Sequence, residues 1–417
     1  MNKDYNKLLN VEEAQEIIFS KFKKLEDNKI PILDSLGSFL SEDIFAPFNL
    51  PERDNSAMDG FAARYQDIKN HKNSKVKLKV IGRVSAESVP LKTVGKGEAV
   101  RIMTGGTIPD GANCVIPFEN TNSKALRGES FPPEVIVNEI VEQYDNIRNG
   151  GQDYKKGEKI LTKGEYLDPS SIGVLASFGK DSVAVSRKPE ISILSTGNEI
   201  VSPGNFKQDG QIYDSNSFTI ASAIRSAGGH PILNEVVPDK VEMLEKILEN
   251  SSSSDLIVSI GGVSKGDFDL IKDVLGQKGK INFWGINMRP GKPLAFGILE
   301  LNNNKIFQIG LPGNPVSAFV CFELFIRPII LKMIGAKYIY RKIVKARIDS
   351  QINNSDGRRI YARVKLISTE KGYKAEVYKN QNSNILSSLV FADGLAICPD
   401  GCKVLKSGDL VDVMLIK

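Results

Sequence analysis

The chain has 417 residues, 41% hydrophobic and 25% charged, an ordinary globular balance whose length asks for more than one hydrophobic core. Its 55 basic and 50 acidic residues leave +5 with the signs interspersed, which argues against the basic stripe of a nucleic-acid binder and leaves room for small anionic ligands. MNKDYNK at the start lacks a basic stretch followed by an apolar core, and no run is long enough to span a membrane, so a cytoplasmic protein is expected.

In chain order, NVEEAQEIIFSKFKKL (10–25) offers Asn10 as a cap, Glu13 three residues later and an apolar stripe through Ala14, Ile17, Ile18, Phe22 and Leu25, which predicts an amphipathic helix. DNSAMDG (54–60) reads as turn punctuation. Its Asp59 is either a turn residue bonding its own backbone or a carboxylate held out for a ligand, and the Asp59-Gly60 pair favours left-handed backbone. VKLKVIGRV, EAVRIMTGG, ANCVIPFEN and EVIVNEIV then predict a small β-rich domain over 54–146. DPSSIGVLASFG (168–179) carries Asp168 as cap, Pro169 at the first helical position and Gly179 past the last turn.

From 189 to 335 strands and helices alternate. ISIL, PILNEVV, DLIVSI and KIFQIG read as strands; SFTIASAIRSA and KVEMLEKILEN read as helices, with another over about 267–275. Asn314-Pro315 opens a last helix running to about Gly335, with a kink expected at Pro328. This pattern predicts a three-layer α/β/α domain with a mostly parallel sheet. After 338 the segments YRKIVKARIDSQI, RRIYARVKLIS, YKAEVYKN, GLAICP and DLVDVMLIK predict a C-terminal, barrel-like β domain. These patterns mark out three domains, 54–146, 189–335 and 338–417.

In an open parallel sheet, ligands bind at the loops leaving the carboxyl ends of the strands. STGNE (195–199), GGVSKGDFD (261–269) and LPGNP (311–315) are such loops, with small residues whose N–H groups can approach an anion. Glu199, Asp267 and Asp269 add carboxylates, which repel phosphate unless a hard cation such as Mg²⁺ lies between them. Asp267 also suits a helix N-cap and Asp269 a first turn, both of which need no ligand. RPGKP (289–293) sets Arg289 and Lys292 around a turn, either as solvated charges or as a cationic corner for oxyanions.

No GxxxxGK[ST], no complete dinucleotide fingerprint and no GxSxG elbow occurs. With only His71 and His230 present, histidine-based metal sites and triads lose support. Cys114, Cys321, Cys398 and Cys402 fit a reducing compartment, and Cys398 and Cys402, flanking PDG without a nearby histidine, read as structural rather than as a zinc site.

Taken together, DNSAMDGFA, AVRIMTGG, PDGANCVIP, NIRNGGQDYKKGE, LSTGNEI, GQIYDSN, SIGGVSKGDFD, RPGKPLAFG and GLPGNPVSA, in this order over about residues 8–335, resemble the molybdopterin molybdenumtransferase family, that of bacterial MoeA and the gephyrin E domain. The resemblance implies an enzyme of molybdenum cofactor synthesis that inserts molybdate into adenylated molybdopterin and releases AMP with Mg²⁺. It also implies a homodimer of four-domain subunits, residues 1–53 with 147–188 forming an extended linker and dimerisation domain beside the other three, with the site shared between subunits, and contacts with the molybdopterin adenylyltransferase and with molybdoenzymes. Motif by motif, it makes Asp59, Thr104, Glu199 and Asp269 catalytic. Arg148, Asp153, Asp239, Gly261, Gly262, Ser264, Arg289, Lys292, Pro312, Gly313, Asn314 and Ser383 would bind substrate, and Glu199, Asp239 and Asp269 would hold the metal. Arg289 stands where many relatives carry Lys, and 120–135 matches poorly. A molybdopterin adenylyltransferase and a non-catalytic cofactor-binding scaffold are the alternatives.

Overall fold

The computed structural model describes residues 8–70, 75–88, 90–123, 131–237, 240–261, 274 and 276–417. They fall into two compact units, one of Met1–Glu42, Lys163–Ile172 and Asp181–Lys417, the other of Asp43–Thr162 and Gly173–Lys180.

The larger unit is built on a seven-stranded sheet in the order Leu8–Leu9, Gly279–Ile286, Pro293–Leu301, Asn304–Leu311, Leu256–Ile260, Glu190–Ser195, His230–Leu233. The last four run parallel, whereas Pro293–Leu301 is antiparallel to both its neighbours. Side chains alternate across this sheet. Ile191, Ile193, Leu256 and Val258 enter one core with the helices Val11–Phe19, Ser215–Ser226 and Arg327–Met333, while Leu194 and Ile257 enter another with Leu244 and Leu248 of the Val241–Asn250 helix. Because both faces are covered, the central strand reads LIVSI without polar alternation.

The first helix starts where its capping box requires: Asn10 Oδ1 accepts from Glu13 N at 2.7 Å, and Glu13 Oε2 accepts from Asn10 N at 3.0 Å. It ends at Phe19, six residues short of the predicted end, because the chain turns away and Leu25 donates its N–H to Met333 O at 2.8 Å. Phe22 is still buried, so the apolar stripe was real although its last turns are not helical. The last helix also differs from expectation. Pro315–Cys321 and Arg327–Met333 are joined by a π-helical turn, Phe322–Ile326, so the irregularity lies ahead of Pro328, whose missing N–H the widened turn accommodates.

The C-terminal strands close into a five-stranded barrel: Arg359–Thr369 pairs with Gly372–Val377, which pairs with Ile343–Ile348, then Leu410–Leu415, then Gly394–Cys398 and back to Arg359–Thr369. Met288–Arg289 pairs with the first residues of that long strand, which ties the RPGKP turn to the barrel.

The smaller unit has a five-stranded sheet ordered Cys114–Pro117, Gly60–Ala63, Glu98–Ile102, Val76–Val84, Glu134–Val137. Gly60 is therefore the first residue of an inner strand and not part of a left-handed turn. Glycine is needed there because a Cβ would stand 2.1 Å from the Ile116 carbonyl oxygen. Among the described residues no helix is long and apolar enough to cross a membrane.

Candidate functional site

In the smaller unit the loop before Gly60 is held by its own sequence. Asp59 Oδ1 accepts both the Thr104 N–H, at 2.7 Å, and the Thr104 hydroxyl, at 2.8 Å. Asp59 thus bonds neither its own backbone nor empty space; it fixes the Thr104-Gly105 turn, whose Gly105 N–H in turn reaches Ser56 O at 2.8 Å. Arg148 pairs with Asn55 in a short antiparallel ladder, and Asp54 Oδ1 accepts the Gly150 N–H at 2.7 Å. Asp153 is anchored through its N–H to Leu50 O at 2.9 Å. Asp59, Thr104, Arg148 and Asp153 are all exposed, with the first three on one scaffold.

In the larger unit the parallel strands end where sequence reasoning placed the ligand loops. Glu199 is exposed just past the Glu190–Ser195 strand and folds back over Gly197, where a Cβ would be 2.7 Å from Glu199 Oε2. Gly197, at φ 146°, is thus favoured by its backbone conformation, since the Glu199 carboxylate over it is exposed and could swing aside. The neighbouring loops meet: a Cβ on Gly313 would lie 3.8 Å from Gly261 Cα. The Gly261 N–H donates to Leu311 O at 2.9 Å, so Gly261 offers close approach and no free donor. The Gly313 and Asn314 N–H groups, on exposed residues, have no protein acceptor among the described residues. Pro312 is buried beneath them, and Asn216, absent from the expected set, donates Nδ2–H to Gly313 O at 2.7 Å. Asp239, Gly262, Ser264, Asp267 and Asp269 lie outside the described residues.

The third feature is a cavity of about 630 Å³ between the RPGKP turn and the barrel. Arg289, Lys292, Arg358, Arg363 and Lys379 line it, five cations with no carboxylate among the lining residues. Ser383 lines it too, and Ser383 O accepts the Val316 N–H at 3.0 Å, which brings the barrel loop against the segment following LPGNP. Arg289 is half-buried, donating to Asn353 O at 3.2 Å, with Asp356 3.8 Å away. Arg358 is bound to Asp356, and this hydrogen bond holds the Asp356 carboxyl below the usual carboxylate range. Lys292 is exposed, with no ion pair among the described residues.

Arg363 is the unusual member. It is fully buried, and its partners are Ser388 Oγ at 3.1 Å, Asn380 O at 3.3 Å and Asn382 O at 3.1 Å, none of them charged. Burial pulls its pKa down to about 10. A guanidinium desolvated without a counter-ion, facing a cavity of like charge, attracts an anion. Sequence reasoning missed Arg363; the available signal was a single arginine inside the apolar run IYARVKLI.

An α/β sheet with glycine loops at its strand ends, joined to a barrel by a cation-lined cavity, defines a protein chemically suited to an anionic ligand. Three family models match the chain: MoeA N-terminal region (domain I and II) over residues 9–179, probable molybdopterin binding domain over 192–332, and MoeA C-terminal region (domain IV) over 345–416. The molybdopterin molybdenumtransferase of Staphylococcus epidermidis is 30% identical over 98% of this chain and 95% of its own, and that of Haemophilus influenzae 40% identical over 71% and 70%. The crystal structure of a molybdopterin biosynthesis MoeA protein from Pyrococcus horikosii superposes with a TM-score of 0.80 at 33% identity, covering 99% of this chain and all of the other. The chain belongs to the MoeA family of molybdopterin molybdenumtransferases, enzymes of molybdenum cofactor biosynthesis.

Proposed function

We propose that the protein inserts molybdate into adenylated molybdopterin and releases AMP, with Mg²⁺ as cofactor. The carrying observation is the cavity of five cationic side chains without a lining carboxylate, which suits a small tetrahedral dianion better than any neutral ligand. In this reading Arg289 and Lys292 hold and orient molybdate, the fully buried Arg363 adds its positive charge to the field of the cavity without touching the ligand, and Ser383 contributes from the rim. The Gly313 and Asn314 N–H groups, without a protein acceptor among the described residues, would take phosphate oxygens of the adenylated substrate.

Glu199 fits a hard cation: it is an exposed carboxylate on a strand-end loop of the same sheet, with no protein hydrogen bond to its oxygens among the described residues. With Asp239 and Asp269 it would hold Mg²⁺, which when bound supplies charge neutralisation at the phosphoanhydride. Among the described residues no cluster of three metal-ligating side chains occurs, so Glu199 stands for the set. Asp59, by clamping Thr104, would keep that hydroxyl and the adjacent turn in a fixed place for substrate, with Arg148 on the same scaffold and Asp153 also binding substrate. The same reading gives a cytoplasmic homodimer of four-domain subunits, with the site shared between subunits and with the molybdopterin adenylyltransferase and molybdoenzymes as partners.

The test follows AMP release and molybdenum incorporation together on adding adenylated molybdopterin, Mg²⁺ and molybdate. Coupled appearance of both, abolished in Asp269→Ala, is expected. Binding of the adenylated pterin without either product would leave a carrier or scaffold instead.

A further inference from the structure

Cys398 and Cys402 sit at the two ends of a tight turn, closed by the Cys402 N–H to Pro399 O at 3.2 Å. Cys398 Sγ donates to Cys402 O at 3.8 Å, Cys402 Sγ donates to Val404 O at 3.3 Å, and neither is in a disulfide. The turn between them is stitched to the segment that furnishes the oxyanion cavity. Gly401 donates its N–H to Gly357 O at 2.8 Å, and Asn354 Nδ2 reaches both Cys402 O, at 2.7 Å, and Arg358 O, at 2.8 Å. Asp400, in the middle of the turn, accepts from Arg359 at 2.6 Å and from Asn287 Nδ2 at 2.9 Å. Asn287, Asn353 and Arg358 are in turn next to, bonded to or lining the cavity with Arg289.

We propose that Cys398 and Cys402 are a modification site, a dithiol that closes to a disulfide and, by contracting the turn that carries Asp400, displaces Arg358 and Arg289 and weakens anion binding in the cavity. The inference rests on the oxyanion reading above. The oxidant is a small-molecule disulfide of the glutathione type. The half-exposed Cys402, as thiolate, attacks one sulfur, releasing one thiolate and leaving a mixed disulfide on Cys402. Cys398, losing its proton to solvent, displaces the second thiolate, so that two protein thiols are oxidised and one disulfide is reduced to two thiols. Cys398 is buried and Cys402 half-exposed, which assigns the first attack to Cys402. Cys114, raised by burial to about 12, and Cys321, buried and raised further, stay silent.

The whole protein is treated with oxidised glutathione, digested for mass spectrometry, and assayed for molybdate binding by equilibrium dialysis before oxidation, after it, and after re-reduction. A Cys398–Cys402 cross-link with the mass of two hydrogens lost is expected. Molybdate should bind about fivefold more weakly, the size of one lost hydrogen bond, and recover with reductant. Cys402→Ser should bind equally under both conditions. Absence of the cross-link, or a cross-link that leaves affinity unchanged, overturns the proposal. If the reduced protein binds no molybdate at all, the oxyanion reading fails separately. Amide exchange at 287–289 and 357–360 then decides: a change on oxidation supports the switch and none sinks it.

Discussion

Arg363 is the unusual residue of the cavity, because among the described residues its fully buried guanidinium is bonded to carbonyls and a hydroxyl and to no carboxylate, so its positive charge is not neutralised locally. Arg363→Met, which keeps volume and removes charge, is expected to weaken molybdate binding about tenfold through loss of a buried positive charge at the cavity, as read by calorimetry. The pH dependence has a definite sign. Burial holds the folded-state pKa near 10, below the ordinary arginine value, so the folded protein sheds this proton before the unfolded chain does. Stability contributed by this group therefore rises with pH above about 10, while anion binding falls through the same range. A molybdate affinity flat across pH 10 would show that Arg363 does not carry the binding. Asp59 makes a smaller statement: Asp59→Ala removes two hydrogen bonds from an exposed turn and should cost about 1 kcal/mol in urea titration, with the larger effect on activity. The carboxylate was legible in DNSAMDG, but its partner was not, because Thr104 is 45 residues away and only the strand pairing brings it near.

Among the elements, the irregular helix ending at Met333 shows how buried charge and backbone geometry are coupled. Within its π turn, Glu323 is buried, takes two hydrogen bonds from Arg341 at 2.8 and 3.0 Å, and has Arg327 3.9 Å away. Glu323→Ala strands both cations and should destabilise the larger unit by about 3 kcal/mol, seen as a lowered urea midpoint at constant slope. Gly60→Ala makes the corresponding test in the smaller unit. Its Cβ would collide with the Ile116 carbonyl, so loss of the folded small sheet is expected by amide exchange, and an unperturbed sheet would refute the packing argument. Strand positions were easy to read, since ISIL, DLIVSI and KIFQIG are short apolar runs set by burial on both faces. Helix ends were harder: the apolar stripe through Phe22 and Leu25 kept its period after the hydrogen bonds had switched to Met333.

For the molecule as a whole, a ligand that binds only the folded state raises stability by mass action, about 2.7 kcal/mol at a hundredfold excess over Kd. Molybdate should therefore raise the melting temperature, and Arg363→Met, binding about tenfold more weakly, should cut the rise to about half. The sequence by itself determined the alternation of strands and helices, the strand-end loops bearing Glu199 and Gly313, and the family, because these depend on local period, turn chemistry and motif order along the chain. Only the tertiary structure decided that Asp59 clamps Thr104, that Gly261 has no donor to give, and that RPGKP meets Ser383 and Arg363 in one cavity. Those facts depend on strand register and barrel closure, which join residues dozens of positions apart through burial and backbone pairing that no local pattern encodes.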